Sequence, residues 1–394
     1  MDKQPLEIQL YEKRKKIHPR EIKGFFQSLR KLSLFTLLGV YYLLPWLNYS
    51  GHQAVLFDLP ARKFYIFNIT FWPQDFIFLS WSLIIAAFTL FFVTALAGRV
   101  WCGFACPQTV WTELFVRIEQ FVEGSRNKRI KLDKSPWNFH KIRTRGLKIL
   151  LWMILALWTG FTFVGFFSPI RELAINVMQW SLGPWETFWI FFYGLATYGN
   201  AGFLREQVCM HMCPYARFQS AMFDRDTLII SYDVARGEPR AAGRKRREDI
   251  ENVGDCIECQ ACVQVCPTGI DIRDGLQYEC IACAACVDAC DEVMIKIGKD
   301  PGLIKYTTEN EMEGKKTHIL RGRIILYMVA LSIMIGLFAI TLISRKDIAV
   351  DILRDRNSFY RTIDSQTIEN VYKLKIMNKG KLAQKYEVSA FGFG

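Results

Sequence analysis

At 394 residues the chain is longer than one typical domain, and 51% of its residues are hydrophobic and 14% aromatic, more than a soluble protein of this size carries. The net charge of +12 would suit nucleic acid or a membrane surface, but the cations flank long apolar runs, so lipid is the expected counter-charge and no nucleic-acid partner is expected. Residues 1–31 are polar and basic and lack the short apolar run and small-residue site of a secretory leader, so a secreted product is not expected.

A bilayer core about 30 Å thick needs roughly 20 apolar residues in a helix, and five stretches approach that length. They are Leu32–Tyr49 (interrupted by Pro45), Phe76–Ala97, Leu147–Phe167, Trp185–Phe203 and Ile324–Ser344. Between the second and third spans, Val110–Val122 is amphipathic and expected to lie along the membrane surface. Glu186, in the first turn of the fourth span, reads as a carboxylate reaching the outer interface, with a proton role as the alternative. The basic N-terminus and the basic loop Arg117–Arg145 assign those segments to the cytoplasm, because Tyr49–Asp75 and Ser168–Pro184 carry few cations. Five crossings then leave Leu204–Arg323 in the cytoplasm and the C-terminal tail outside. Arg236–Arg247 reads as a basic connector facing lipid headgroups. Past the last span, the alternation in Val371–Met377, the Asn378–Gly380 turn and Tyr386–Phe391 predict a hairpin.

The fold class is thus a mainly α membrane protein of five transmembrane helices, with an inserted bacterial two-cluster ferredoxin-like domain and a short C-terminal β segment. The expected organisation is a basic N-terminus (1–31), four spans (32–235), the cluster domain with its linkers (236–322), the fifth span (323–344) and an outer β tail (345–394).

Eight of the 12 cysteines carry that cluster domain. Cys256, Cys259, Cys262 and Cys266, then Cys280, Cys283, Cys286 and Cys290, both read C-x2-C-x2-C-x3-C, with Pro267 after the first set and Asp291 after the second. Three thiolates on a short loop wrap three irons of a 4Fe-4S cubane, and in two-cluster ferredoxins the fourth comes from the other motif. One cluster is therefore expected on Cys256, Cys259, Cys262 and Cys290, the other on Cys280, Cys283, Cys286 and Cys266. Zinc sites use paired C-x2-C units, and disulfides do not persist in a reducing compartment.

The other four cysteines form two copies of C-x3-C-P: Cys102, Cys106, Pro107 and Cys209, Cys213, Pro214. Positions i and i+4 share a helix face, so two such turns could bring four sulfurs together, with the helix ending at the cysteine before each proline. Met210, His211 and Met212 complete a soft ligand set that suits Cu(I). Structural zinc and plain apolar packing are the other readings of these thiols. No C-x-x-C-H haem motif and neither Gly-rich nucleotide motif occurs, and His18, His52, His140, His211 and His318 are too few and too scattered for bis-histidine haem.

The run Gly254–Met294, together with Trp101–Trp111 (WCGFACPQTVW) and Cys209–Gln219 (CMHMCPYARFQ), resembles the CcoG/FixG/RdxA family of accessory proteins for assembling cbb3-type cytochrome c oxidase. The resemblance implies a bacterial inner-membrane protein with two 4Fe-4S clusters that reduces Cu(II) to Cu(I). It places copper at Cys102, Cys106, Cys209 and Cys213, and implies oxidase assembly factors, a copper transporter or chaperone and an unidentified electron donor as partners. It also implies a C-terminal immunoglobulin-like domain, of which this chain holds only the first strands. A quinol dehydrogenase using Glu186 or His211 as proton acceptor, and a non-catalytic assembly scaffold, are the alternative functions.

Overall fold

The computed structural model describes residues 16–49, 51–241, 253–345, 348–354, 360–364, 367–378 and 385–389. Helix α1 (Phe25–Leu43) starts ahead of the apolar run at Leu32 because its first turns face protein: Gln27 and Arg30 are buried. It ends in a 3-10 turn at Leu44–Trp46, where Pro45 withdraws an N–H from the ladder. The following loop forms the pair β1 (Asn48–Tyr49) and β2 (His52–Gln53) and an antiparallel sheet β3 (Val55–Asp58), β4 (Lys63–Ile66), β5 (Ile69–Phe71).

Helix α2 (Phe76–Ala97) stops at Gly98, which takes a positive φ of 56° and lies under the Leu228 carbonyl. There follow α3 (Val100–Phe104), α4 (Pro107–Glu123), α5 (Arg126–Lys134), α6 (Phe139–Val164), α7 (Ile170–Met178) and α8 (Pro184–Thr197). Helix α8 runs on as a π-helical segment, Tyr198–Leu204, and a second π turn covers Val208–Met212. Helix α4 is the predicted amphipathic segment, but protein covers its apolar face: Val110, Phe115 and Val116 are buried, Val110 against α1 and Phe115 against α6 and the π segment.

Among the described residues, three helices are long and apolar enough to cross a membrane: α2 with its preceding turn, α6, and α14 (Gly322–Ile343). The chain is a membrane protein on that count. The other two expected spans are helical but shorter in their apolar part: α1 breaks at Pro45, and α8 has 14 α-helical residues before seven π-helical ones. Helices α6 and α8 pack closely because Gly160 has no Cβ to meet the Ile190 carbonyl. At the far end of α14, Arg345 donates to Asp75 Oδ2 and to the Thr70 carbonyl, both at 2.7 Å, tying α14 to the foot of α2.

The insert begins with α9 (Pro214–Ala221), β6 (Ile229–Tyr232) and α10 (Val234–Gly237), continues through α11 (Ala261–Val265) and α12 (Ala285–Lys296), and closes with β7 (Ile304–Thr307) and α13 (Glu309–Met312). Strands β6 and β7 pair antiparallel from Ile229–Thr307 to Tyr232–Ile304 and cover the core formed by Ile230, Ala284, Val287, Met294 and Leu303. In the expected connector, Arg236 is held by Asp255 Oδ2 at 2.6 Å and the Pro301 carbonyl; residues 242–247 lie outside the described residues.

In the tail, β8 (Ile348–Arg354) and β11 (Tyr372–Asn378) pair antiparallel, as do β9 (Arg361–Asp364) and β10 (Thr367–Glu369). The strand expected over Val371–Met377 forms, but its partner is the upstream β8 and not Tyr386–Phe391. Residues 386–389 are not in a strand, and 379–384 and 390–391 lie outside the described residues. Alternation marks a strand without naming its partner.

Candidate redox centre

The two C-x2-C-x2-C loops have one backbone design. Glu258 and Gln260 in the first, and Ala282 and Ala284 in the second, take positive φ between 51° and 56°. Four non-glycine residues in the left-handed region, at matched positions, curl each loop so that its three thiols face inward. Helices α11 and α12 then start at Ala261 and Ala285 and carry the third cysteine of each motif in the first turn.

Each loop faces a small cavity of about 20 Å³. One is lined by Cys256, Cys259, Cys262 and Cys290, beside Tyr232 and Arg273. The other is lined by Cys266, Cys280, Cys283 and Cys286, with Cys262 at its edge. The crossed sets expected from the spacing are the sets the fold brings together. Burial pushes the thiols of Cys280 and Cys290 up to about 12 and that of Cys262 to about 11, with neighbouring thiols adding to it. Thiols around one small space, all but Cys259 buried or half-buried, fit a group that supplies iron to hold them as thiolates, so the residues suit a cluster in each cavity. The first cavity lies nearer the surface, since Cys259 is exposed. Asp291, where a second proline would stand, accepts the Gly302 N–H at 2.7 Å and fixes the end of the motif.

The C-x3-C-P cysteines do not share a helix face as expected. Cys102 sits in α3, whereas Cys106 lies beyond its end as the N-cap of α4, with Pro107 at N1. Cys209 lies in the second π turn, and Cys213 is the N-cap of α9, with Pro214 at N1. Proline explains both: it disfavours helix at the preceding residue and suits the first position of the next helix. Burial raises Cys106, while the Thr109 and Gln108 N–H groups at the mouth of α4 pull it back. Cys102 interacts electrostatically with Cys106, Cys209 and Cys213, which puts the two motifs in one neighbourhood. Burial puts Cys102 at about 12 and Cys209 at about 11. Among the described residues no three His, Cys, Asp or Glu side chains close on a single metal-ion position. Met210 is half-buried in the same turn, whereas His211 and Met212 are exposed. Glu186 accepts the Gly183 N–H at 3.1 Å, which makes it a cap at the start of α8.

The thiol group and the second cluster loop are neighbours, which spacing alone did not reveal. Cys102 packs on the core that contains Ile281, Cys283 and Ala285. Gly103 permits this: a Cβ there would stand 2.7 Å from the Ala282 carbonyl oxygen and 2.8 Å from that of Ile281. Arg99, 5% exposed, sits between the two, donating to the carbonyls of Tyr278, Cys280 and Ala216. On the other side Asp288, between the last two cluster cysteines, accepts the N–H groups of Phe26 at 3.2 Å and Gln27 at 2.7 Å, capping α1. The glycine inside WCGFAC was the available sequence signal for the first contact. Nothing in the sequence marked Arg99 or Asp288.

These features define a class: a membrane-embedded iron–sulfur protein with two clusters and a β-structured C-terminal segment. A profile for a 4Fe-4S dicluster domain matches residues 204–309, one for a 4Fe-4S binding domain residues 79–129, and one for the immunoglobulin-like fold at the C-terminus of FixG residues 338–394. The chain is 41% identical to protein RdxB of Cereibacter sphaeroides over 96% of its length and 83% of that protein. It is 39% identical to nitrogen fixation protein FixG of Rhizobium meliloti, covering 94% of the chain and 78% of that protein. It is 37% identical to protein RdxA of Cereibacter sphaeroides over 97% and 84%. No solved structure matches it. The chain belongs to the FixG/RdxA family of iron–sulfur electron-transfer proteins.

Proposed function

We propose that this protein reduces Cu(II) to Cu(I) at the inner membrane, in support of cbb3-type oxidase assembly. Cys256, Cys259, Cys262 and Cys290 hold one 4Fe-4S cluster, and Cys266, Cys280, Cys283 and Cys286 the other. The observation that carries the reading is the packing of Cys102, one of the four C-x3-C-P thiols, against the second cluster loop. In this reading α1 and α8 with its π extension also cross the bilayer, so five helices place the N-terminus and the cluster domain in the cytoplasm and the tail in the periplasm. Oxidase assembly factors and a copper transporter or chaperone are the partners.

When bound, the clusters supply one-electron chemistry. The chain's own residues do the rest. Exposure at Cys259 gives a soluble donor access to the outer cavity. Arg273, paired with Asp271, stands beside that cavity, and Arg99 and the Glu113-paired Arg30 lie near Cys280 and Cys283 of the inner one. Copper is the substrate. Cys102, Cys106, Cys209 and Cys213 favour the product, because soft thiolates prefer Cu(I). The proton of a buried thiol is released as the metal binds.

The test is anaerobic. The reduced protein, freed of reductant, is mixed with Cu(II), and Cu(I) is trapped with a chelator while cluster absorbance is followed. A Cys209→Ser, Cys213→Ser variant with intact clusters should reduce copper at least about tenfold more slowly. Equal rates would remove those thiols from the path.

A further inference from the structure

We propose that the large cavity between residues 17–31, α4 and the cluster domain is a binding site for a small anionic metal chelate, and that this is the form in which copper reaches Cys209. The inference rests on the copper reading above and specifies the substrate for it. The cavity is about 720 Å³. Cys209 lines it together with Gln108 and Thr109 from the first turn of α4, and Ile281 and Ala285 of the second cluster loop form another part of its wall. It therefore connects the surface with both the thiol group and the inner cluster loop.

Size argues against a bare ion. A volume within the roughly 300–1,000 Å³ range of small-molecule sites is far more than a single metal ion fills. Charge argues against a bare cation as well. Six cations line the cavity: Arg20, Lys23, Arg30, Lys31, Arg117 and Arg205. Four carboxylates oppose them, Glu21, Glu113, Glu206 and Glu292, and Arg205 is in addition paired with the buried Glu119. Glu113 pairs with Arg30 at 3.3 Å and Arg117 at 2.9 Å, and Glu292 pairs with Lys296 outside the cavity. Lys23 and Lys31 have no ion-pair partner among the described residues, and the buried Nε of Arg117 has no hydrogen-bond partner. A dication meets repulsion here. The same ion wrapped in carboxylate or thiolate ligands meets attraction, and Cys209 then offers a soft ligand for exchange.

The test separates recognition from reduction. Calorimetry on the oxidised holo-protein in detergent would use two substitution-inert probes, the anionic Cr(III)–ethylenediaminetetraacetate and the cationic Cr(III)–tris(ethylenediamine). Neither can hand its metal to a thiol. The wild type should bind the anionic probe and not the cationic one, and binding should weaken with salt. A Lys23→Glu, Lys31→Glu variant with unchanged cluster absorbance should bind the anionic probe about tenfold more weakly. Equal affinity for both probes, or an unaltered variant, overturns the proposal. If anion selectivity holds while Cu(II) is not reduced, the copper reading falls and the chelate site stands.

Discussion

Gly103→Ala is the sharpest perturbation of the contact between the thiols and the inner cluster loop. The new Cβ would lie 2.7 Å from the Ala282 carbonyl oxygen, 2.8 Å from that of Ile281 and 3.0 Å from the Ala282 carbonyl carbon. All three are backbone atoms, so no side chain can swing away. Restoring ordinary contact, which begins near 3.4 Å, from 2.7 Å needs a separation of about 0.7 Å between α3 and the loop. Overpacking of this kind costs about 1–3 kcal/mol, against the up to ~1 kcal/mol that alanine gains over glycine within a helix. The loss should appear as a lower midpoint of thermal unfolding in detergent, faster iron loss to a chelator, and slower single-turnover copper reduction. Gly146→Ala is the control: it lies in α6 with nothing within 4 Å of its Cβ, and should be neutral or slightly stabilising. If Gly103→Ala behaves like Gly146→Ala, α3 does not rest on the cluster loop and the argument from proximity fails.

Asp288→Ala removes the acceptor for two N–H groups at the start of α1, one of them buried, and should cost about 2 kcal/mol; hydrogen exchange at Phe26 and Gln27 should accelerate, and unchanged protection would refute the cap. Burial first holds Cys102 near 12 and Cys209 near 11, and Arg99 opposes it. In metal-free protein their alkylation by a neutral maleimide should therefore rise by about tenfold per pH unit from neutrality to at least pH 10, and Arg99→Gln should slow it further at each pH; a plateau near pH 8 would contradict this. Burial, then Lys16, keeps His18 below its ordinary 6.5 despite Asp133 at 2.8 Å. The unfolded chain then binds the proton first as pH falls, so this group's contribution to stability is present above pH 6.5 and diminishes below it. His18→Gln should flatten that part of a stability-against-pH curve.

The cluster domain was legible because its ligands sit on short loops, where spacing fixes geometry: the crossed pairing of Cys266 and Cys290 followed from three thiols per loop plus one from afar. The spans over α2, α6 and α14 were legible from length and apolarity alone. The C-x3-C-P motifs were read as helix faces, yet proline at N1 makes Cys106 and Cys213 caps of the following helices, and π turns such as Val208–Met212 leave no periodic trace in sequence. The sheet of β3, β4 and β5 escaped because its strands are three or four residues long. Arg99 and Asp288 were invisible for a different reason, since each acts on backbone atoms more than a hundred residues away.

The most direct test of the central claim is a stoichiometric titration. Fully reduced protein, stripped of reductant under anaerobic conditions, is titrated with Cu(II) while cluster absorbance and chelated Cu(I) are recorded together. One electron from each of two clusters predicts about two Cu(I) per chain, formed in step with the optical change. Clusters that stay reduced, or Cu(I) that forms without cluster oxidation, would contradict the account.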